Sequence, residues 1–364
     1  MTGAQYVRPT TRAQLILSES IIGIALIGAG YWGPNLLRNF QQNDDFDVRY
    51  LCDLDEARAK KVLGGYSTIP VSVSVDAVLS DPAVRAVAVA TPPDTHLPVV
   101  AAALKAGKHV LVEKPLAANL QDGRELVRLA ESSGLILMVD HTFCYTPVVR
   151  RLRSLVRDGE LGDFRYVDSV RVSLGLVRPD VDVLWDLAPH DIAIVDSVCP
   201  GYARPVAVAA HGADPLGLGR ACMAYLSLRL SNGGMAHAHV SWLSPTKIRT
   251  VTVGGAKRTA IWNDLDPQQR LAVHDQGVEI QDAQQQRPLY RTGDTVYHAL
   301  PEKEALRSVT EEFARAIRSG LPTLTDGRSG LRVLATLEAA RQSMQADGAF
   351  VPLEFDKQMQ AVTP

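Results

Sequence analysis

From Ile21 to His141, short apolar runs alternate with amphipathic stretches. The runs IIGIALIG, FDVRYLCD, AVAVAT, HVLVEK and LILMVDH are rich in Val, Ile and Leu and show little alternation, the pattern of strands covered on both faces. Between them Asp55 to Leu63, Thr95 to Ala106 and Asn119 to Ser132 read as helices. Repeated β-α units of this kind predict a parallel, doubly wound sheet. After residue 141 the period changes. A short helix, Thr146 to Arg157, leads through GELGD into FRYVDSVRVSLG, which alternates like a strand with one covered face. A helix around VLWDLAPHDIAIV follows, then strand-like runs between about Val206 and Val278. Two helices close the chain, Glu302 to Arg318 and Arg328 to Gln345. The expected fold class is α/β, with an N-terminal doubly wound domain and a C-terminal α/β domain built on an open, mostly antiparallel sheet. The expected division is an extension at 1–20, the first domain at 21–141 and the second at 142–364, with the final helix free to pack back on the first domain.

The first candidate for chemistry is GAGYWG, which follows the first strand and opens a helix. Gly28 permits the tight turn, Gly30 lets a diphosphate approach the backbone, and Gly33 lets helix and strand pack closely; Tyr31 and Trp32 lie inside the same loop. The diphosphate would sit on the positive end of the helix dipole. The next strand ends in Asp53, about twenty residues beyond Gly33, where a carboxylate accepts the adenine-ribose hydroxyls and repels a 2′-phosphate. The reading is a dinucleotide-binding Rossmann domain that prefers NAD to NADP, with Arg58 a helical turn beyond as the one residue favouring phosphate.

Two further strand ends face the same crevice. AVAVATPPDTH delivers Thr91, Pro92 and, at the next helix start, His96, which either borders the nicotinamide half or is a capping residue. HVLVEKP delivers Glu113 and Lys114, a charged pair that is expensive at a buried strand end unless it is paired or used. In VLWDLAPHDIAIV, Asp186 and His190 are four apart and share one helical face. The pattern alone leaves two readings open, a reaction centre or a helix start with a satisfied histidine. Asp191 reads as structural, its carboxylate complementing a helix N-terminus.

Charge and cysteine content narrow the class. The 364 residues carry a formal net charge of −2, so no global positive field waits for nucleic acid or an anionic membrane. The four cysteines are scattered without CxxC or CxxH spacing, which argues against a disulfide frame and a zinc site and for a reducing compartment. No apolar run is long enough to span a bilayer, and the apolar stretch near the N-terminus runs into the glycine motif, so the expectation is a cytoplasmic protein without a cleaved leader.

GAGYWGPNLLRNF, ATPPDTH, AGKHVLVEKPLA, DLAPHD and VSWLSPTKIR together resemble the Gfo/Idh/MocA oxidoreductases, over nearly the whole chain from Ile22 to about Phe350. WDLAPHD with GYWGPN and SWLSPTKIR looks like the branch acting on nucleotide-linked sugars. The resemblance implies a Rossmann domain joined to an α/β domain whose open sheet often forms an oligomer interface, hence a homo-oligomer, dimer or tetramer. It puts the family's lysine on Lys114 and its aspartate and histidine on Asp186 and His190. The Lys114–Pro115 bond is a candidate for the cis isomer. Relatives of this branch commonly read GHTFLYNP where this chain reads DHTFCYTP, so Asp140 replaces a glycine and Thr146 an asparagine. On this reading His190 is the general base, assisted by Lys114 and Asp186, with Tyr145, Arg171, Trp185 and Lys247 as substrate contacts. The expected activity is NAD-dependent hydride transfer at a ring hydroxyl of a nucleotide-linked sugar, C3 by preference. The alternatives are a cyclitol or free-sugar dehydrogenase, and a sensor that binds NAD without turnover.

Overall fold

The computed structural model describes residues 21–280, 287–355 and 359. The extension expected at 1–20 lies outside the described residues. The N-terminal half is built from β1 (Ile22–Ile27), α1 (Gly33–Gln41), β2 (Phe46–Cys52), α2 (Glu56–Leu63), β3 (Val71–Ser72), α3 (Val75–Ser80), β4 (Ala86–Val89), α4 (His96–Lys105), β5 (His109–Glu113), α5 (Leu120–Ser132) and β6 (Leu137–Asp140). Its six strands are all parallel in the order β3-β2-β1-β4-β5-β6, a doubly wound sheet. The chain reverses direction of growth between β1 and β4, which is where such sheets open a crevice at the strands' carboxyl ends. Every residue of β1, β4 and β6 is buried, which explains why these strands read as unbroken apolar runs. Side-chain caps fix three of the helix starts: Asp55 accepts from the Arg58 N–H, Ser74 from Ala77 and Asn119 from Asp122.

The second half contains α6 (Pro147–Arg157), β7 (Phe164–Leu174), α7 (Val183–Val198), β8 (Pro205–Ala213), β9 (Met223–Leu230), β10 (Met235–Ser241), β11 (Leu243–Gly255), β12 (Thr259–Asn263), β13 (Leu271–His274), β14 (Gly277–Ile280), β15 (Pro288–Arg291), β16 (Thr295–Tyr297), α8 (Ala305–Ser319), α9 (Gly327–Gln345) and β17 (Val351–Pro352). Nine strands form an open sheet in the order β16-β13-β12-β11-β7-β10-β9-β8-β17, with β14 and β15 as a separate hairpin. The sheet is antiparallel except where β7 and β10 run parallel at its middle. That pair needs a crossover, and the chain between β7 and β10 includes α7, which covers the sheet's inner face. Ala236, Ala238 and Val240 of β10 point inward beside Leu226 and Leu228, while Met235, His237 and Tyr225 point outward.

Two observations differ from the sequence reading. Asp191 is not at a helix N-terminus: α7 begins at Val183, capped by the Asp182 carboxylate on the Trp185 N–H, and Asp191 sits mid-helix and buried. The short elements β3 and α3 lie between the predicted units, where no apolar run announces them. Both closing helices pack on the first half. Arg38 of α1 forms a two-pronged pair with Glu304 before α8, and Phe46 stacks on Phe313 at 6.1 Å. A Cβ on Gly123 of α5 would lie 2.7 Å from Leu334, so only glycine lets α5 and α9 approach this closely.

Candidate active site

The glycine loop has the geometry of a phosphate cradle. Gly28 has φ +105°, and a Cβ there would lie 2.6 Å from the Ala90 carbonyl oxygen; at Gly33 it would meet the Gly28 carbonyl oxygen at 2.3 Å. A Cβ on Gly30 would meet nothing within 4 Å, so the space over the start of α1 is open at the position a diphosphate would occupy. No side chain caps α1 and its first turn holds no acid, which leaves the positive end of the dipole to an anion. Tyr31 is 92% exposed on the loop and tilts against Trp32 at 5.9 Å. Asp53 ends β2 with Oδ2 accepting the Ala29 N–H at 2.7 Å and Oδ1 the Asp55 N–H at 2.8 Å. A carboxylate has further lone pairs for ribose hydroxyls. Arg58 Nη1 stands 3.7 Å from Asp53 Oδ1, pulled toward the carboxylate. Loop, helix start and acid therefore fit a dinucleotide.

His96 does not reach that crevice with its side chain. It is fully buried, with Nδ1 3.0 Å from the Pro115 carbonyl oxygen and Nε2 2.9 Å from the Thr91 carbonyl oxygen. It pins the loop after β4 to the loop after β5, and burial holds its pKa down. Thr91 is also tied through its hydroxyl, which accepts from Thr95 at 2.8 Å, while Pro92 is exposed at the strand end.

Lys114 crosses to the second half. Its Nζ donates to the Asp186 carbonyl oxygen at 2.8 Å and stands 3.8 Å from Asp186 Oδ1; the Lys114–Pro115 peptide is cis. Pro189 lies inside α7 and has no N–H for the Trp185 carbonyl four residues back, so this turn of the helix is short of internal bonds just where Lys114 arrives. The other carboxylate oxygen, Asp186 Oδ2, accepts the Trp242 Nε1–H at 3.0 Å. Burial lowers the Lys114 pKa and Asp186 pulls it back up.

One turn on, His190 is half-buried, its Nδ1 out of water and lacking a partner among the described residues, and the Phe143 ring meets it edge-on at 5.0 Å. Burial, then the charges of Lys114 and Arg171, push its pKa well down, so the imidazole is neutral. Asp186 does not hydrogen-bond this ring; it serves Lys114 and Trp242. Several buried side-chain atoms without a partner among the described residues belong to this centre, namely both His141 nitrogens, Trp185 Nε1, His190 Nδ1 and Arg249 Nε, and Glu113 Oε1 and Asp140 Oδ2 end the strands beside it. Native interiors leave few such atoms, and those of His141, Trp185, His190 and Arg249 suit another molecule's polar groups.

The remaining substrate candidates separate. Tyr145 is buried and shares a hydrogen bond with the Thr325 hydroxyl at 3.0 Å, so it ties β6's neighbourhood to the loop before α9 and does not face a ligand. Arg171 is 5% exposed and bonded through Nε to Asp191 Oδ2 at 2.8 Å, with Ser169 on Oδ1 at 2.6 Å. It faces inward, and its guanidinium lies 4.3 Å from the Phe143 centroid, so it supports the site from behind. Trp185 is partly buried under Arg341, 5.6 Å from its ring. Lys247 is exposed where the β11–β7 register breaks between Leu243 and Ile248. Four residues at the centre had no role assigned from sequence: His141, Phe143, Trp242 and Arg249, the last 5.0 Å from the Phe143 centroid. The rule that strand carboxyl ends border the crevice finds His141, which follows β6. Nothing in the sequence announces that Trp242 bonds Asp186.

Residues 22–141 match the oxidoreductase family with an NAD-binding Rossmann fold, and residues 153–353 match that family's C-terminal alpha/beta domain. The chain is 28% identical over 284 residues to UDP-N-acetylglucosamine 3-dehydrogenase of Acidithiobacillus ferrooxidans, covering 75% of this chain and 82% of that one. The solved structure of that enzyme superposes with a TM-score of 0.76 over 89% of this chain and 98% of its own. Scyllo-inositol 2-dehydrogenase (NADP(+)) IolW of Bacillus subtilis is 28% identical over 207 residues, 54% of each chain. GenD2 from gentamicin A biosynthesis, solved with NAD, shares the fold at a TM-score of 0.77 and 24% identity, over 96% of this chain and 100% of that one. The chain belongs to the Gfo/Idh/MocA oxidoreductase family.

Proposed function

We propose that this protein is an NAD-dependent dehydrogenase, or in reverse a ketoreductase, acting on a ring hydroxyl of a nucleotide-linked sugar, with C3 the preferred position. The observation that carries the reading is the neutral, half-buried His190 one helical turn from the Asp186 carbonyl that receives Lys114, beside the crevice of a dinucleotide fold. The likeness to a UDP-N-acetylglucosamine 3-dehydrogenase supports the substrate class. Asp53, with its carboxylate at the end of β2, supports NAD over NADP. Gly28, Gly30 and Gly33, with the Tyr31 and Trp32 backbone, would hold the diphosphate.

When bound, the nicotinamide supplies the two-electron acceptor for the hydride leaving the carbinol carbon. His190 takes the hydroxyl proton as the C–O bond becomes C=O. Lys114 donates to the same oxygen and stabilises its developing negative charge. Asp186, held by Trp242, keeps the Lys114 ammonium in place. Trp185 and Lys247 border the sugar. Self-association through the exposed face of the nine-stranded sheet belongs to the same proposal.

The test is NADH formation by the purified protein across nucleotide sugars, free sugars and cyclitols. Turnover with a nucleotide sugar is expected, with His190→Ala and Lys114→Met each losing roughly 10²–10⁴-fold in kcat. Near-normal turnover by either variant would overturn the assignment. Turnover with cyclitols alone would move the enzyme toward the inositol-type reading that the Bacillus subtilis relative favours.

A further inference from the structure

Glu113 and Asp140 end adjacent parallel strands as direct register partners. In a parallel pair such residues project to the same face from strands about 4.8 Å apart. Both are buried, 5% and 1% exposed. Each carboxyl has one engaged oxygen: Glu113 Oε2 accepts the Lys114 N–H at 3.2 Å, and Asp140 Oδ1 accepts the Thr142 hydroxyl at 2.8 Å. The other two oxygens, Glu113 Oε1 and Asp140 Oδ2, have no donor among the described residues. Two carboxylates this close and out of water do not both ionise, and a single O–H···O⁻ bond between them satisfies both orphaned oxygens at once.

We propose that Glu113 and Asp140 share one proton, and that the single negative charge left on this acid pair is the counter-charge that keeps Lys114 protonated at the reaction centre. The proposal rests on the dehydrogenase reading for Lys114's role but not for the pair itself. Burial, then the neighbouring Asp140, hold the Glu113 carboxyl well above its usual range, so the pair keeps a proton at neutral pH. Asp140 is pushed up by burial to about 6, so near and above neutral pH the pair carries one negative charge. Lys114 acts on the pair directly, and the charged groups acting on Lys114, His141 and His190 are Asp186 and Asp196 of α7, Arg171 of β7, Arg178 in the segment before α7 and Arg249 of β11, the last paired with Asp264. Arg171 and Arg178 are matched by Asp191 and Asp180. Lys114 therefore has two anionic neighbours, Asp186 toward α7 and the acid pair, which acts on it through Glu113, the preceding residue. Below about pH 6 the pair takes a second proton and that counter-charge is lost.

Two readouts test this without substrate. Infrared spectra of the wild-type protein should show a protonated carboxyl band persisting at pH 8, gaining a second carboxyl below about pH 6, and losing the pH 8 band in Glu113→Gln. Competitive acylation of Lys114, followed by peptide mass spectrometry across pH, reads the lysine directly. Its titration should fall by about one pH unit in the double variant Glu113→Gln with Asp140→Asn, which keeps an amide hydrogen bond but no charge, and stay near wild type in Glu113→Gln alone. A wild-type spectrum without a protonated carboxyl at pH 8, a band that survives Glu113→Gln, or a Lys114 titration unmoved by the double variant would each overturn the proposal. The wild-type spectrum needs no variant to fold. Failure of the dehydrogenase reading is separate: it shows as no NADH from any sugar while band and titration behave as described.

Discussion

Trp242 acts on the reaction centre through one hydrogen bond, its indole N–H on Asp186 Oδ2 at 3.0 Å. Asp186 in turn takes Lys114 on its carbonyl and keeps its second carboxylate oxygen 3.8 Å from Nζ. Trp242→Phe keeps the ring in its buried slot but removes the donor, leaving one lobe of Asp186 free to turn. The expected result is a loss of roughly 2–12-fold in kcat, the equivalent of about 0.5–1.5 kcal/mol for one hydrogen bond, with the fold intact by circular dichroism. Steady-state kinetics on the true substrate would check it, and an unchanged kcat would make Trp242 a packing residue only. Spacing makes His190, Asp186 and Lys114 visible as candidates because each interrupts an apolar run at a strand end or along one helical face. The bonds that sort active from structural groups are invisible at that level. Tyr145 and His96 have the right residue type in the right place, yet spend their polar atoms on Thr325 and on two backbone carbonyls.

At the scale of elements, α7 and α9 are clamped by Arg332, whose Nε and Nη2 reach Asp196 at 2.7 Å each and whose Nη1 donates to the Met359 carbonyl oxygen at 2.6 Å. Both side chains are nearly out of water. Arg332→Ala leaves Asp196 only the more distant Arg204, 3.7 Å away, and should cost up to about 3–5 kcal/mol, read as a lower midpoint in urea unfolding. Long periodic elements were legible: five core strands and the helices from Asp55, Asn119 and Thr146 onward lie within a residue or two of the sequence reading. Short ones were not, since β3 and α3 are two and six residues long and carry too few apolar positions to show a period. Asp191 reads from sequence as a helix-start carboxylate, whereas the true cap, Asp182, stands nine residues earlier.

For the molecule as a whole, stability against pH carries a signature of the buried centre. Burial, with Lys114 adding to it, brings His141 down to about 4, from about 6.5 when unfolded. Below pH 6.5 the unfolded chain binds a proton that the folded one refuses, so this contribution is complete above pH 6.5 and is lost as pH falls toward 4. Asp140 runs the other way: raised to about 6, it favours the folded state at low pH and gives that up as pH rises through the same window. Relative to wild type, His141→Leu should therefore gain about 3 kcal/mol on going from pH 7 to pH 4, measured by urea unfolding at each pH. No change in the difference would mean that His141 titrates normally in the folded protein. The close seating of α9 on the first half has a consequence for how the chain is made. Gly327 and Gly330 bring α9 against Val127, Leu137, Val139 and Leu116, all of the N-terminal half. Roughly 200 residues must leave the ribosome between β6 and the end of that helix, about 10–40 s at about 5–20 residues per second. Through that interval the nascent dinucleotide domain presents a wet apolar flank, which makes it a client for chaperones until its last helix is translated.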